Sequence, residues 1–310
     1  MNLIRRGASL GLASLMVAFL LITPTLATAA SGPKHILSTY PDYIGGVVAG
    51  AGGVFFVDNS NGYLHHWDSA HGDTFAAYPP PEGAGGDYWG IAAKSFSGLG
   101  LRVVVMSSTL RGLYFCNGVT YNSATSCSGF IPLMPSICSL LPTGNCNPFG
   151  IAFDKAGNLW YADPTNDMEC ELNKDTGYTS FVGYPNYINC ISEPVGAAPE
   201  GIFIDSNGNH WLADASCNGD VIENGATLFS IGESMQSIVL SNKNPIPSFH
   251  IYVGVTGICG STPAYIKDLN DGTHLGVLSG PAQIPGIATN LYFTTNSFGS
   301  ADLWKTSDKK

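Results

Sequence analysis

Eight cysteines, at positions 116, 127, 138, 146, 170, 190, 217 and 259, are the side chains of this 310-residue sequence most able to form covalent bonds. An even count reads as a set of disulfides if the chain is exported. A metal cluster is the rival use, but no Cys-x2-Cys pair occurs and no histidine stands at zinc-ligand spacing from a cysteine pair. Of the seven histidines, His65 and His66 lie in "GYLHHWD", where a strand would turn them to opposite faces. His210 and His250 precede apolar strand positions, and His71 falls in a loop, "SAHGD", without an assignable role. None reads as a catalytic base beside a metal-holding carboxylate, so packing or surface roles are expected. The nucleophile elbow G-x-S-x-G, the H-E-x-x-H helix and the phosphate-binding glycine loop are all missing. Any catalysis therefore has to come from carboxylates that the fold gathers.

The first residues indicate the compartment. Arg5 and Arg6 precede an apolar run from Leu10 to Ile22, and Ala27 and Ala29 offer the small residues of a cleavage site. This predicts a signal peptide over 1–29, cut after Ala29. A membrane anchor is the alternative, but the run falls short of the roughly 20 residues a spanning helix needs, and Pro24 interrupts its end. The mature protein is thus expected to be secreted, periplasmic or extracellular, with no membrane span left after cleavage. The arginine pair hints at the twin-arginine route, though Gly7 and Ala8 follow where that signal prefers bulkier apolar residues. Formal net charge is −10, and only 12% of residues are charged. Nucleic acid is excluded as a partner, because a phosphate backbone needs a basic stripe.

Positioning falls to a repeat. "GIAFDKAGNLWYAD" runs from Gly150 to Asp163, and "GIFIDSNGNHWLAD" from Gly201 to Asp214. Each holds two short apolar strands around a turn of Asp, Gly and Asn, which is a β-hairpin. Looser copies begin at Gly46, Gly90, Ser237 and Gly286, making six at a period of about 48 residues. Material for two more strands follows each hairpin, as in "GYLHHWD" with "TFAAYP" and "GDVIENG" with "TLFSIG". Four strands make a blade and six blades close a ring, so the expected fold is all-β: a six-bladed β-propeller of four-stranded antiparallel blades over 30–310. "HILSTY" near the mature start is expected to complete the last blade beside "ADLWKTS".

The pattern G-I-x-x-D-x-x-G-N-x-W-x-A-D resembles six-bladed propellers with NHL-like repeats, and is similar to the streptogramin lyase and gluconolactonase (senescence marker protein, SMP-30) families. Because it builds a hairpin it identifies a fold and leaves chemistry open. Trp160 and Trp211 are expected between blades, and Asp154 and Asp205 in turns. The resemblance implies that the residue ahead of each inner-strand glycine faces the mouth of a central channel. Those places hold Gly45, Trp89, Phe149, Glu200, Gln236 and Pro285. In the gluconolactonase-like enzymes they hold oxygen ligands of a divalent cation, so Glu200 is the metal-ligand candidate here, with calcium or magnesium as the cation. Trp89, Phe149, Glu200 and Gln236 form the ligand-binding candidates, and the two aromatics serve equally as a pocket or as a plug.

Two functional readings follow. The first is an exported, non-enzymatic propeller that binds a small molecule, a polysaccharide or an extracellular protein through its mouth or rim. The second is a metal-assisted hydrolase or lyase at the channel, with Glu200 joined by Asp87, Asn147 or Gln283. The blade arrangement suggests Cys217 with Cys259 as a clip between adjacent blades. Cys116 with Cys127, Cys138 with Cys146 and Cys170 with Cys190 would then close local loops. The Cys116 to Phe149 stretch, rich in Ser, Gly and Pro, is expected to sit on one rim as a second contact surface.

Overall fold

The computed structural model describes residues 34–40, 44–59, 62–79, 86–133, 138, 141–172, 189–241, 250–256, 259, 263–270, 272, 274–275, 283–297 and 300–306. The predicted leader lies outside the described residues. Six antiparallel sheets form a six-bladed propeller. Blade 1 is β2 (Ile44–Gly50), β3 (Gly53–Asp58), β4 (Leu64–Asp68) and β5 (Gly72–Ala77), from the axis outward. Blade 2 has β6 (Tyr88–Phe96), β7 (Gly100–Ser107) and β8 (Gly112–Asn117), with its outer strand split into β9 (Ser126–Cys127) and β10 (Ile131–Pro132). Blade 3 holds β11 (Ile151–Phe153), β12 (Leu159–Asp163), β13 (Met168–Leu172) and β14 (Asn189–Ser192). Blade 4 comprises β15 (Pro199–Ile204), β16 (His210–Asp214), β17 (Asp220–Glu223) and β18 (Ala226–Ser230). Blade 5 follows with β19 (Met235–Ser241), β20 (His250–Val255), β21 (Tyr265–Asp268) and β22 (His274–Leu275). Blade 6 takes β23 (Gln283–Ile287), β24 (Tyr292–Ser297) and β25 (Ser300–Lys305) and is completed by β1 (Lys34–Tyr40), which pairs with β25 as the sequence suggested.

The second strand of each blade is buried on both faces, which explains why these strands read as nearly unbroken apolar runs instead of alternating ones. Six apolar clusters form, one at each junction between neighbouring blades. Phe55 and Phe56 show the rule: adjacent in β3 and both fully buried, they serve the junctions with blade 2 and blade 6 respectively. Each such ring stabilises the fold by about 1.5–3 kcal/mol relative to exposure.

The repeated letters have separable structural duties. In the hairpin turns, Asp154 accepts from the Asn158 backbone N–H (2.7 Å) and side-chain amide (2.8 Å), and Asp205 accepts from Asn209 in the same way (2.9 and 3.0 Å). The closing Asp of each copy reaches back to the segment entering its own inner strand: Asp163 accepts from Asn147 N–H at 3.1 Å and Asp214 from Ala198 N–H at 2.9 Å. Trp160 packs in the junction of blades 3 and 4, and Trp211 in that of blades 4 and 5. The opening glycine is where successive inner strands approach most closely. A β-carbon on Gly150 would stand 2.4 Å from the Glu200 carbonyl oxygen, and one on Gly201 would stand 2.7 Å from the Ser237 Cα. Side chains there would hold the ring open.

Four disulfides join the cysteines as 116–127, 138–146, 170–190 and 217–259. Two of them link directly opposed residues of paired strands, β8 with β9 and β13 with β14. The Cys217–Cys259 bond ties blade 4 to blade 5 across a separation of 42 residues. Together the four indicate an oxidising environment. One expectation needs correcting. The Cys116 to Phe149 stretch is more than a rim loop: it supplies both outer strands of blade 2, while Cys138, Leu141 and Cys146 are buried in the junction of blades 2 and 3. A blade left with three strands would expose β8, and the insertion covers that edge.

Candidate functional site

The six inner strands surround an axial cavity of about 310 Å³. Its lining is Gly46 to Ala49, Trp89 to Lys94, Gly150 to Phe153, Gly201 to Ile204, Ser237 to Val239 and Gly286 to Thr289. Lys94 is the one ionisable residue among them.

At the end of the cavity where the inner strands begin, the residues ahead of the glycines come together in two pairs. The Trp89 and Phe149 rings stack, with centroids 5.8 Å apart and planes at 21°. Trp89 itself lines the cavity. On the next two blades, Gln236 is buried and its Oε1 accepts from the Ile284 backbone N–H at 3.1 Å. That contact fixes the amide so that its Nε2 donates to the carboxyl of Glu200. Gly45 contributes backbone only, its carbonyl accepting from the Thr294 hydroxyl at 2.8 Å. The side chain of Pro285 lies outside the described residues.

Glu200 is half-buried, and its surroundings alter its acidity. Burial against the protein pushes its carboxyl up to about 7; the Gln236 amide opposes the rise, and the neighbouring Asp214 charge adds to it. Asp214 itself is saturated with donors from Ala198, Ser216 and Asp220. Of the four ligand-binding candidates, Trp89 lines the cavity, while Phe149, Glu200 and Gln236 directly precede the lining residues Gly150, Gly201 and Ser237.

The residues offered as further metal ligands do not join Glu200. Asp87 accepts from the Thr109 hydroxyl at 2.7 Å, and Asn147 donates to the Thr165 hydroxyl at 2.8 Å, each facing the turn after its own blade's second strand. Gln283 opens β23 opposite Asn296. Among the described residues no group of three or more His, Cys, Asp or Glu side chains gathers to hold a metal ion. Calcium or magnesium requires a ring of several oxygens, and one carboxylate with an amide already engaged does not supply it.

Other titratable groups are paired or buried elsewhere, with partners that the sequence did not reveal. Among the described residues, five histidines approach carboxylates through Nδ1: His65 with Asp73 (3.3 Å), His66 with Asp68 (3.6 Å), His71 with Asp68 (2.8 Å), His210 with Glu169 (2.8 Å) and His250 with Asp268 (2.5 Å). None of these is among the mouth residues. Glu193 is buried beside Glu169, and burial followed by the Glu169 charge pushes its carboxyl up to about 8. The only sequence signal for these pairs was a polar residue in an apolar strand, as at Glu169 in "MECEL".

No family model matches the chain, and no curated protein matches it. Solved structures do. A streptogramin B lyase superposes with a TM-score of 0.57 at 12% identity, over 89% of this chain and 97% of that one. A gluconolactonase from Xanthomonas campestris gives 0.54 at 11%, over 88% of each chain. A luciferin-regenerating enzyme gives 0.59 at 13%, over 89% of this chain and 96% of that one. At these identities the likeness establishes the propeller fold, in agreement with the resemblance carried by the repeat.

Proposed function

We propose that the protein is an exported hydrolase or lyase acting on a small organic molecule at the channel mouth, with Glu200 moving the proton. The observation that carries this reading is the Glu200 carboxyl, which directly precedes the cavity-lining Gly201, is bonded to the oriented Gln236 amide and is pushed up to about 7 by burial. A general acid or base works best with a pKa near the operating pH. The stacked Trp89 and Phe149 rings offer a flat apolar wall for the ligand, and Gln236 keeps the carboxyl pointed. Enzymes named for lyase, lactonase and dehydrogenase activities share this fold over nearly their whole length, which supports catalysis at the axis. The donor set does not fit a bound divalent cation, so no step is assigned to one.

The test is turnover of a panel of lactones and cyclic depsipeptides by the mature, oxidised protein. Glu200→Gln should lower kcat by a factor of about 100 or more while KM changes little, and the wild-type rate should inflect near pH 7. Turnover that survives Glu200→Gln refutes the assignment.

A second reading, non-catalytic ligand binding at the same mouth, is favoured by the solitary Glu200 among carboxylates there. Calorimetric binding without turnover of any bound compound, unaltered by added calcium or magnesium, would establish it.

A further inference from the structure

The outer rim of blade 1 carries an aromatic group separate from the mouth. Tyr78 is 64% exposed, the most exposed aromatic side chain described. Its ring lies 4.1 Å from that of Phe75 and 5.0 Å from that of Tyr63, and Tyr63 meets Phe75 edge-on at 5.5 Å. Behind them His65 packs edge-on against Phe75 at 5.8 Å and bonds Asp73 at 3.3 Å.

This grouping depends on a local irregularity. In a regular strand, residues 75 and 78 point to opposite faces. A β-bulge sets Leu64 opposite Ala77 while its neighbour His65 lies opposite Phe75, so β5 carries an extra residue there. The bulge re-aims Tyr78 onto the face of Phe75 and Tyr63.

We propose that this rim binds a neutral polysaccharide, stacking the apolar face of a sugar ring on Tyr78. Three features point to that ligand. The exposed ring is braced from behind by Phe75 and Tyr63, so little side-chain freedom is lost on binding. Its phenol provides a hydrogen-bonding group at the edge of an aromatic face, the combination that sugar hydroxyls and C–H faces require. The net charge of −10 repels acidic polymers and leaves neutral ones. Equatorial hydroxyls, as in β-linked glucose, xylose or N-acetylglucosamine chains, leave the flattest apolar faces and are the expected class. The site shares no residue with the Glu200 mouth and stands whether or not that mouth is catalytic.

Calorimetry with cellohexaose, xylohexaose and chitohexaose, each taken to about 10 mM, tests it. At least one should bind; Tyr78→Ala should weaken binding roughly tenfold or more with an unchanged melting temperature, and Tyr78→Trp should retain it. An oligogalacturonate, the acidic control, should bind more weakly. Failure of all three hexasaccharides, binding unaltered in Tyr78→Ala, or preference for the acidic control overturns the proposal.

Discussion

Glu193 should make this protein less stable as pH rises from 5 to 8. The residue follows β14 and its N–H donates to the Asp167 carbonyl at 2.8 Å. Its side chain is 6% exposed, and neither carboxyl oxygen has a hydrogen-bond partner. The titratable groups beside it are Glu169 on β13, fully buried, and His210 on β16, which is bonded to Glu169. Burial, aided by the Glu169 charge, pushes the Glu193 carboxyl from an ordinary 4.5 to about 8 in the folded protein. Above pH 4.5 the unfolded chain has released this proton while the folded one keeps it, so unfolding releases a proton. The stability is fully present below pH 4.5 and is lost as pH climbs through 8. At pH 7 the loss is about 3 kcal/mol, at 1.36 kcal/mol per pH unit. For a domain of this size that lowers the melting temperature by roughly 5–10 °C. Glu200 and Asp163, both pushed up by burial, act in the same direction, so the wild-type curve alone does not isolate Glu193. Glu193→Gln does: it keeps the neutral shape and cannot ionise. Thermal unfolding followed by circular dichroism between pH 4.5 and 8 should give coincident wild-type and variant midpoints at the acid end and divergence above it, with the variant more stable. Parallel curves across the whole range would refute the reasoning.

Three further outcomes follow from the packing. Gly150→Ala should destabilise by about 2–3 kcal/mol in urea titration, because its β-carbon meets the backbone of the next blade 2.4 Å away, and Gly208→Ala, whose β-carbon meets nothing within 4 Å, should cost less despite a φ of 91°. Replacing Cys217 and Cys259 together with Ser should cost about 4 kcal/mol from the loop they close, measured as a fall in melting temperature under oxidising conditions that reductant does not deepen at that site. His210→Ala leaves the fully buried Glu169 without its hydrogen-bond partner and should cost about 1–3 kcal/mol, an effect that Glu169→Gln in the same background should partly reverse.

The architecture was legible in the letters because each blade must satisfy the same local demands. A glycine is needed where inner strands touch, Asp and Asn hold the hairpin turn, and apolar residues fill both faces of a buried sheet. Such demands recur at a fixed spacing and leave a repeat. Disulfide partners could be assigned for a related reason: three bonds close short segments, and the fourth joins equivalent loops of neighbouring blades. The mouth was legible as a row of positions, from Trp89 to Gln236, but not as an arrangement. Whether Asp87 and Asn147 faced the axis depended on side-chain directions, and each turned to a hydroxyl of its own blade. The amide that orients Glu200 is held by Ile284, which lies 48 residues from Gln236 in the chain. Glu169 meets His210 across 41 residues, and Tyr78 reaches Phe75 through a bulge that no residue in "TFAAYP" announces. Contacts of this kind depend on how far each blade twists and where its register slips. Those quantities are settled only when the six junctions pack against one another, so the sequence determined the ring while the tertiary structure decided what its faces can do.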